Sequence, residues 1–211
     1  MKFQSVRLRF VNHTSRCLLA LLCAALLVPG SQLCIEHIGV NSTRTGLLDT
    51  LTQMGAQVAL ENSCEESGEP VADLIVRAGP DLNAPEISGD LVPRMIDEFP
   101  ILAIAATQAR GKTIVRDAQE LRVKESDRIA AMAQELRRMG AQIEEREDGF
   151  AIAGPTDLHG ARVSAHNDHR LAMSLAVAGL IARGETVIEG WECVADSFPN
   201  FREALAQVTS R

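Results

Sequence analysis

The stretch Ile101-Leu102-Ala103-Ile104-Ala105-Ala106 is apolar on every side. It is followed by Gly111, by the β-type run Thr113-Ile114-Val115-Arg116 and by the charged turn Arg122-Val123-Lys124-Glu125-Ser126-Asp127-Arg128. A helix that is apolar all round is typical of a protein core, where it packs against other helices. The order of these segments therefore predicts a buried helix, a strand, and a turn that opens a second helix.

The same layout occurs twice more, in segments 18–46 and 171–199. Each copy has an apolar run, a glycine, a short β-type run and a polar turn, and equivalent glycines lie about 70–80 residues apart. This spacing exceeds the ~20–50 residues of solenoid repeats, so each copy is interpreted as a larger block of helices and strands. Three such blocks, with apolar helices inside and sheets outside, predict one α/β domain with internal pseudo-threefold character.

The first two copies continue in the same way. A second helix, with apolar residues at helical spacing, ends in Met-Gly-Ala-Gln at 54–57 and again at 139–142. Gly55 and Gly140 fall where helices commonly end in a glycine. Strand pairs are predicted next, 58–60 with 74–76 and 143–145 with 150–152. The second pair is expected to turn through Asp148-Gly149, and the acidic segment 61–70 is interpreted as the loop of the first pair.

The composition excludes some function classes. The chain has 211 residues, of which 46% are hydrophobic and 23% charged, as in an ordinary globular protein. A net charge of −7 argues against nucleic acid as a partner, and with no tyrosine and one tryptophan the chain lacks stacking platforms for bases. An enzyme for anionic substrates can still be acidic overall, because the local field in its cleft decides binding.

The N-terminal residues admit two interpretations. Lys2, Arg7, Arg9 and Arg16 precede an apolar run from 17 to 28, which is similar to a secretory signal peptide. That run is too short to cross a membrane, and the repeat favours a buried core helix instead. Residues 1–17 otherwise match nothing in the repeat and are expected to be a disordered basic lead-in or a replaced strand. One domain is then expected over residues 18–211.

The cysteines predict neither disulfides nor a metal site. No two of them form a CxxC pair, and no zinc-type spacing occurs. They are therefore interpreted as reduced thiols of a cytoplasmic protein. The five cysteines are Cys17, Cys23, Cys34, Cys64 and Cys193.

The charged turn 122–128 is a candidate binding site. Ser126 is expected to cap the following helix, which would group Lys124, Glu125 and Arg128 around its first turn. A phosphate or carboxylate is well bound by cations beside a helix N-terminus, and a carboxylate among them can move a proton. The alternative is a charged cap with ordinary side-chain pairs and no ligand.

Asn167-Asp168-His169-Arg170 is a second polar group that opens an apolar helix. Asn167 or Asp168 can cap that helix, while His169 and Arg170 lie in its first turn. The segment 96–100 holds the same position in the preceding copy, and two such groups at matching positions favour a functional role over capping alone. The turn 41–46, which keeps one cation and no acid, is interpreted as mainly structural.

The motifs resemble those of the 5-enolpyruvylshikimate-3-phosphate synthases, a family of enolpyruvyl transferases. The resemblance rests on Asp97-Glu98-Phe99-Pro100, on residues 121–128 and on residues 167–170, supported by residues 41–46 and by Ser197-Phe198-Pro199. It extends from about residue 24 to residue 206. It implies two globular halves, each of three βαβαββ units, of which this chain would be the C-terminal half with buried helices and outer sheets.

The resemblance also implies an activity and its residues. The family transfers the enolpyruvyl group of phosphoenolpyruvate to the 5-hydroxyl of shikimate 3-phosphate and releases phosphate, with no cofactor and no metal. Asp97 and Glu125 would be catalytic, with Glu125 as the proton shuttle for the phosphoenolpyruvate methylene. Lys124 would bind on the shikimate 3-phosphate side, and Arg128 and Arg170 would clamp phosphoenolpyruvate. The full substrate-binding set would be Glu120, Lys124, Arg128, His169 and Arg170.

Three departures from the family pattern limit this expectation. The N-terminal half is absent, His13–Cys17 replaces a Gly-Asp-x-Ser-Ser-Ala-like stretch, and Asp196 stands where some members have a lysine. Because half of the cation clamp is missing, the chain alone is expected to have little activity. Two alternatives stay open: a relative of the transferase that acts on UDP-N-acetylglucosamine, and a non-catalytic remnant that only binds a ligand or a partner.

Overall fold

The computed structural model describes residues 4–9, 17–79 and 81–209. The helices and strands are β1 (Gln4–Arg9), α1 (Leu18–Leu27), β2 (Ser31–Gly39), α2 (Gly46–Gln53), β3 (Gln57–Glu66), β4 (Glu69–Arg77), β5 (Glu86–Ile87), α3 (Phe99–Thr107), β6 (Gly111–Val115), α4 (Arg128–Arg138), β7 (Gln142–Arg146), β8 (Gly149–Gly154), β9 (Arg162–Ser164), α5 (His169–Ile181), β10 (Val187–Glu189) and α6 (Phe201–Thr209). Short 3₁₀ helices lie at Ser42–Arg44, Gly89–Leu91, Pro93–Met95, Gln119–Val123 and Trp191–Asp196.

The sheets repeat one topology. Two four-stranded sheets have the orders β1-β2-β4-β3 and β5-β6-β8-β7. In each, the first two strands are parallel and the hairpin is antiparallel. The third sheet contains β9 and β10, again parallel, and within the described residues it has no hairpin. The predicted α/β class with repeated units is confirmed, and the first two units each read β-α-β-α-β-β.

The core consists of the three apolar helices α1, α3 and α5, which contact one another. Nine of the ten residues of α1 and all nine of α3 are buried, so the expected core helix near residues 18–28 is confirmed. Each buried leucine contributes about 1.5–3 kcal/mol from burial. Among the described residues, no helix is long and apolar enough to cross a membrane.

The N-terminal lead-in contains a strand. Gln4–Arg9 pairs in parallel with β2, with Val6 opposite Leu33, and takes the position of the first strand in its unit. Of the two expectations for this segment, the strand is the one adopted over 4–9. Residues 1–3 and 10–16 lie outside the described residues, and the domain boundary at residue 18 stays a prediction.

Both predicted helix ends are confirmed. Gly55 and Gly140 follow α2 and α4 with φ of +96° and +91°. The next residue donates to the carbonyl five positions earlier in each case, Ala56 to Leu51 and Ala141 to Leu136 at 2.9 Å. This is the hydrogen bond of a Schellman motif, which requires a left-handed residue and so favours glycine.

Two details of the hairpins differ from the prediction. The segment 61–70 is not a loop, because β3 continues to Glu66 and turns through Ser67-Gly68 into β4. In the second hairpin Gly149 is not a turn residue, since it already pairs with Arg146 as the first residue of β8. Glycine is required at position 149 for a different reason, because a Cβ there would lie 2.1 Å from the Val115 carbonyl oxygen.

Candidate active site

The N-termini of α3, α4 and α5 bring the three predicted polar motifs together. Asp97 lies just before α3, Arg128 is the first residue of α4, and His169 and Arg170 open α5. Residues from all three motifs contact one another, although 31 to 73 positions separate the contacting residues along the chain. Their order along the chain is visible in the sequence, but their proximity in space is not.

Arg128 is the centre of the cluster, and its side chain is fully buried. Its guanidinium binds three carboxylates: Nε lies 2.7 Å from Asp168 Oδ2, NH1 lies 3.3 Å from Asp97 Oδ1, and NH2 lies 2.6 Å from Glu125 Oε2. Asp97 and Glu125, both predicted to be catalytic, thus each contact Arg128 directly. Because these carboxylates enclose the guanidinium, a ligand anion can reach Arg128 only if one of them moves.

Asp168 is a site residue that the sequence identified only as one of two possible caps. Its Oδ1 accepts from the amides of Arg170 at 2.9 Å and Leu171 at 3.3 Å, and its Oδ2 binds Arg128 and, at 3.2 Å, the Ser126 hydroxyl. Burial alone would raise the pKa of Asp168, but the hydrogen bond and charge of Arg128 lower it overall. Its position in the sequence was the available signal. An acid at the start of a largely apolar helix is buried with that helix and needs a cation nearby.

The cap of α4 is Asp127 rather than Ser126. Asp127 Oδ1 accepts from the Ala130 amide at 3.0 Å, and Asp127 Oδ2 lies 2.9 Å from Arg122 NH1. Both residue types are good caps, so composition could not choose between them. Ser126 is instead directed towards Asp168, and the helix begins two residues after it.

Arg170 is the site cation that a small pocket exposes. Its side chain is 16% exposed, and NH2 lies 3.5 Å from Asp97 Oδ2 while NH1 lies 3.6 Å from Glu98 Oε1. NH1 also donates to the Asp97 carbonyl at 3.2 Å. The pocket is lined by Arg170 and Asp97 together with Cys17, Met173 and Ser174. These contacts are looser than those of Arg128, so an incoming anion can compete for this guanidinium.

Lys124 and Glu120 form a separate pair at the edge of the cluster. Lys124 Nζ lies 2.5 Å from Glu120 Oε1, and the side chains are 24% and 60% exposed. Val123 between them is 79% exposed, which is unusual for a large apolar residue and leaves this segment on the surface. Lys124 and Glu120, each predicted to bind substrate, therefore pair with each other in a surface segment.

His169 lies at the start of α5, half-buried. Burial lowers its pKa, and the positive charge of Arg170 lowers it further, against the opposing effect of Asp168. The imidazole is therefore mainly neutral at pH 7, with one ring nitrogen that donates a hydrogen bond and one that accepts.

The arrangement suits the binding of an anion next to a proton transfer. Arg170 supplies positive charge between two helix N-termini, and Asp97 and Glu125 supply carboxylates on either side of Arg128. In the part of the chain that the structure describes, no group of three or more histidine, cysteine or acidic residues is placed to hold a metal ion.

The family model of EPSP synthase (3-phosphoshikimate 1-carboxyvinyltransferase) matches residues 19–205. The chain belongs to the EPSP synthase family. The family expected from the motifs is thereby confirmed. The EPSP synthase match includes every predicted site residue and leaves out the first 18 residues of the chain.

Relatives and solved structures agree with this membership. The chain is 58% identical over 187 residues to the 3-phosphoshikimate 1-carboxyvinyltransferase of Gloeobacter violaceus, covering 89% of this chain and 43% of the relative. It is 55% identical over 185 residues to that of Geotalea uraniireducens, covering 88% and 43%. The EPSP synthase structure from Acinetobacter baumannii superposes with a TM-score of 0.88 at 40% identity, covering 91% of this chain and 45% of that one.

A more distant structure shares the fold alone. The enolpyruvyl transferase NikO from Streptomyces tendae gives a TM-score of 0.73 at 21% identity, covering 91% of this chain and 42% of NikO. The chain thus spans about 43% of the length of the curated EPSP synthase relatives that it matches.

Proposed function

We propose that this chain forms one half of an enzyme that transfers the enolpyruvyl group of phosphoenolpyruvate to the 5-hydroxyl of shikimate 3-phosphate and releases phosphate. The observation that supports this most is the contact network among Asp97, Glu125, Arg128 and Arg170, which come from three separate motifs. Two anionic substrates require cations, and addition followed by elimination requires an acid and a base. The network offers both within one cluster.

The proposed chemistry has two steps. Asp97 accepts the proton of the 5-hydroxyl as its oxygen bonds to C2 of phosphoenolpyruvate, and Glu125 gives a proton to the methylene carbon, which becomes a methyl group. In the second step the C2–O bond to phosphate breaks, the methyl group loses a proton to Glu125, and the phosphate leaves with the proton that Asp97 held, so both carboxyl groups return to their starting states. Arg170 holds the phosphoenolpyruvate anion throughout, and Arg128 joins it when Glu125 turns to the substrate.

The pair of Lys124 and Glu120 has a proposed role in binding shikimate 3-phosphate. Lys124 and Glu120 lie on the exposed edge of the cluster, where a phosphate can replace Glu120 as the partner of the Lys124 ammonium group. His169, neutral at pH 7, lies beside Arg170 and contributes a hydrogen bond to the phosphoenolpyruvate anion that Arg170 holds.

The other wall of the cleft is proposed to come from an N-terminal half outside this chain. The chain spans about 43% of its relatives, and the cluster is open on the side of Val123 and Lys124. We therefore expect little activity from the chain alone. We also propose a cytoplasmic location, which agrees with five cysteines that are all free.

Calorimetry with shikimate 3-phosphate tests whether this half-site binds substrate. We expect measurable heat with the parent chain and an affinity about tenfold to a hundredfold lower for Lys124→Ala, since one charge-assisted contact is lost. Lys112→Ala is the matched control, because Lys112 also pairs with a glutamate, Glu144 at 3.0 Å, on the surface away from the cluster.

Three results would contradict the proposal. Equal affinities of the parent and Lys124→Ala would remove Lys124 from the binding site. Heat with UDP-N-acetylglucosamine and none with shikimate 3-phosphate would indicate the sister transferase. No heat with either would indicate a non-catalytic remnant.

A further inference from the structure

Glu135 is a buried carboxylate outside the cluster described above. It lies in α4, and its side chain is 0% exposed. Oε1 lies 2.7 Å from the His166 Nε2, while Oε2 accepts from the Ser164 amide at 3.2 Å and from Arg138 NH1 at 3.0 Å. A charged group is buried at a high cost in solvation unless it is well paired, so these contacts need an explanation.

Two of these contacts hold a backbone turn in an unusual conformation. His166 and Asn167 have φ of +50° and +56°, so two successive residues with side chains are left-handed. Residues other than glycine rarely adopt this conformation, and asparagine does so more readily than histidine. Such a turn persists only when its surroundings fix it. Glu135 contacts it on both sides, at the Ser164 amide and at the His166 ring, and the Ser164 hydroxyl accepts from the His166 amide at 3.2 Å.

The turn leads directly into the site. Asp168 follows it, donates its amide to the Ala165 carbonyl at 2.9 Å, caps α5 and binds Arg128. Arg170 comes two residues later and meets Asp97. Because only the turn connects β9 with α5, its conformation determines the direction in which the N-terminus of α5 presents these groups.

We propose that Glu135 is a positioning residue for the N-terminus of α5, and that it acts by holding the left-handed turn at His166 and Asn167. Arg138 neutralises the other side of the same carboxylate, and its guanidinium is half-exposed. The inference goes beyond the proposed function, since it concerns the geometry of Asp168, His169 and Arg170 with or without substrate. Only the catalytic importance of how Asp168, His169 and Arg170 are placed rests on the proposed function.

The imidazole of His169 reports on this geometry without any ligand. Its pKa is lowered by burial and by Arg170, so a displaced α5 N-terminus would let it rise towards the value of an exposed histidine. The experiment is an NMR titration of the 211-residue chain with ¹⁵N-labelled histidines. The chain has five histidines, and the His169 signal is assigned by its loss in His169→Gln.

We expect a higher His169 pKa in Glu135→Ala than in the parent, and no change in the control Met132→Ala. Met132 is a buried residue of the same helix, 1% exposed, so its truncation destabilises the chain but leaves both hydrogen bonds from Glu135 to the turn in place. Adding Asn167→Gly to Glu135→Ala should return the His169 pKa towards the parent value, because glycine adopts a positive φ freely. A merely structural role for Glu135 predicts neither the difference from Met132→Ala nor the rescue.

A His169 titration in Glu135→Ala that coincides with that of the parent would overturn the proposal. So would equal shifts in Glu135→Ala and Met132→Ala. If Glu135→Ala does not fold, Glu135→Gln provides the same comparison, since it keeps the side-chain volume and removes the negative charge that faces His166. We then expect a smaller rise of the His169 pKa, and a titration identical to that of the parent would contradict the inference.

Discussion

At the scale of single residues, the ion pair of Arg128 and Asp168 shows how the site is held. Neither side chain is exposed, so both lose their hydration on folding. Such a pair is stable only when other hydrogen bonds complete it. Asp168 has them, from the Arg170 and Leu171 amides and from Ser126. Removing one partner is therefore costly, because the other charge stays buried without compensation.

Asp168→Asn tests this pair directly. Asparagine still caps a helix, so the change removes mainly the charge, and we expect the free energy of unfolding to fall by about 3–5 kcal/mol. Denaturant unfolding at pH 7 measures the difference. The control is Asp157→Asn, whose partner Arg183 lies at 3.0 Å with both side chains 79% exposed, and which should cost less than about 1 kcal/mol. Equal losses in the two variants would contradict a buried, charged Asp168.

The same pair predicts a dependence on pH. The pKa of Asp168 is lowered in the folded chain, so its stabilisation is complete above the unfolded value of about 3.9 and is lost as the pH falls through the lower folded value. The difference in unfolding free energy between the parent and Asp168→Asn should therefore narrow in strong acid. The Asp168 carboxyl contributes no pH dependence between pH 5 and 7, because it is ionised there in both the folded and the unfolded chain.

Single residues also show where sequence reasoning stops. Asp97, Glu125, Arg128 and Arg170 were named from their motifs, and the structure brings them into contact. The burial of Arg128 could not be foreseen, because a cation in a charged turn is usually on the surface. Its depth depends on α4 packing against the core, which is a property of the tertiary structure.

At the scale of helices and strands, glycine is required for two different reasons: a positive φ at a helix end, and the close approach of another backbone segment. Gly55 and Gly140 follow helices and have positive φ, as the Met-Gly-Ala-Gln pattern predicted. Gly149 was predicted for the turn, yet it lies in β8 where the Val115 backbone approaches. A glycine needed for its φ has a local sequence signal, whereas one needed for a close approach depends on a distant strand. The sequence could therefore predict the first kind only.

Gly149→Ala tests the second constraint. The added Cβ would lie 2.1 Å from the Val115 carbonyl oxygen and 2.7 Å from its carbon, so the backbone must shift. We expect a loss of about 1–3 kcal/mol in the free energy of unfolding, as for other overpacked sites. Gly68→Asn is the control, because Gly68 is a turn glycine with no atom within 4 Å of its Cβ position, and asparagine tolerates its φ of +81°. A loss for Gly149→Ala no larger than that for Gly68→Asn would contradict the close approach.

At the scale of the whole molecule, the repeat explains both the core and the site. Three apolar helices form the centre, and the sheets cover them, as the three apolar runs predicted. The repeat also places the equivalent N-termini of α3 and α5 close together, and the N-terminus of α4 lies against both, so motifs far apart in sequence share one cluster. The extension of β3 to Glu66 was missed because its polar, exposed residues carry no alternating apolar pattern.

We propose that the cluster is one wall of a site whose other wall lies outside this chain, which spans about 43% of the length of its curated relatives. We expect this wall to be intact and its activity to require the other half. The most direct test is to measure phosphate release from phosphoenolpyruvate and shikimate 3-phosphate by the 211-residue chain, alone and mixed with a separately expressed N-terminal half of a relative. We predict little or no release by the chain alone, and release by the mixture that is lost in Arg170→Ala. Release at enzyme-like rates by the chain alone, or an active mixture that does not need Arg170, would contradict the claim.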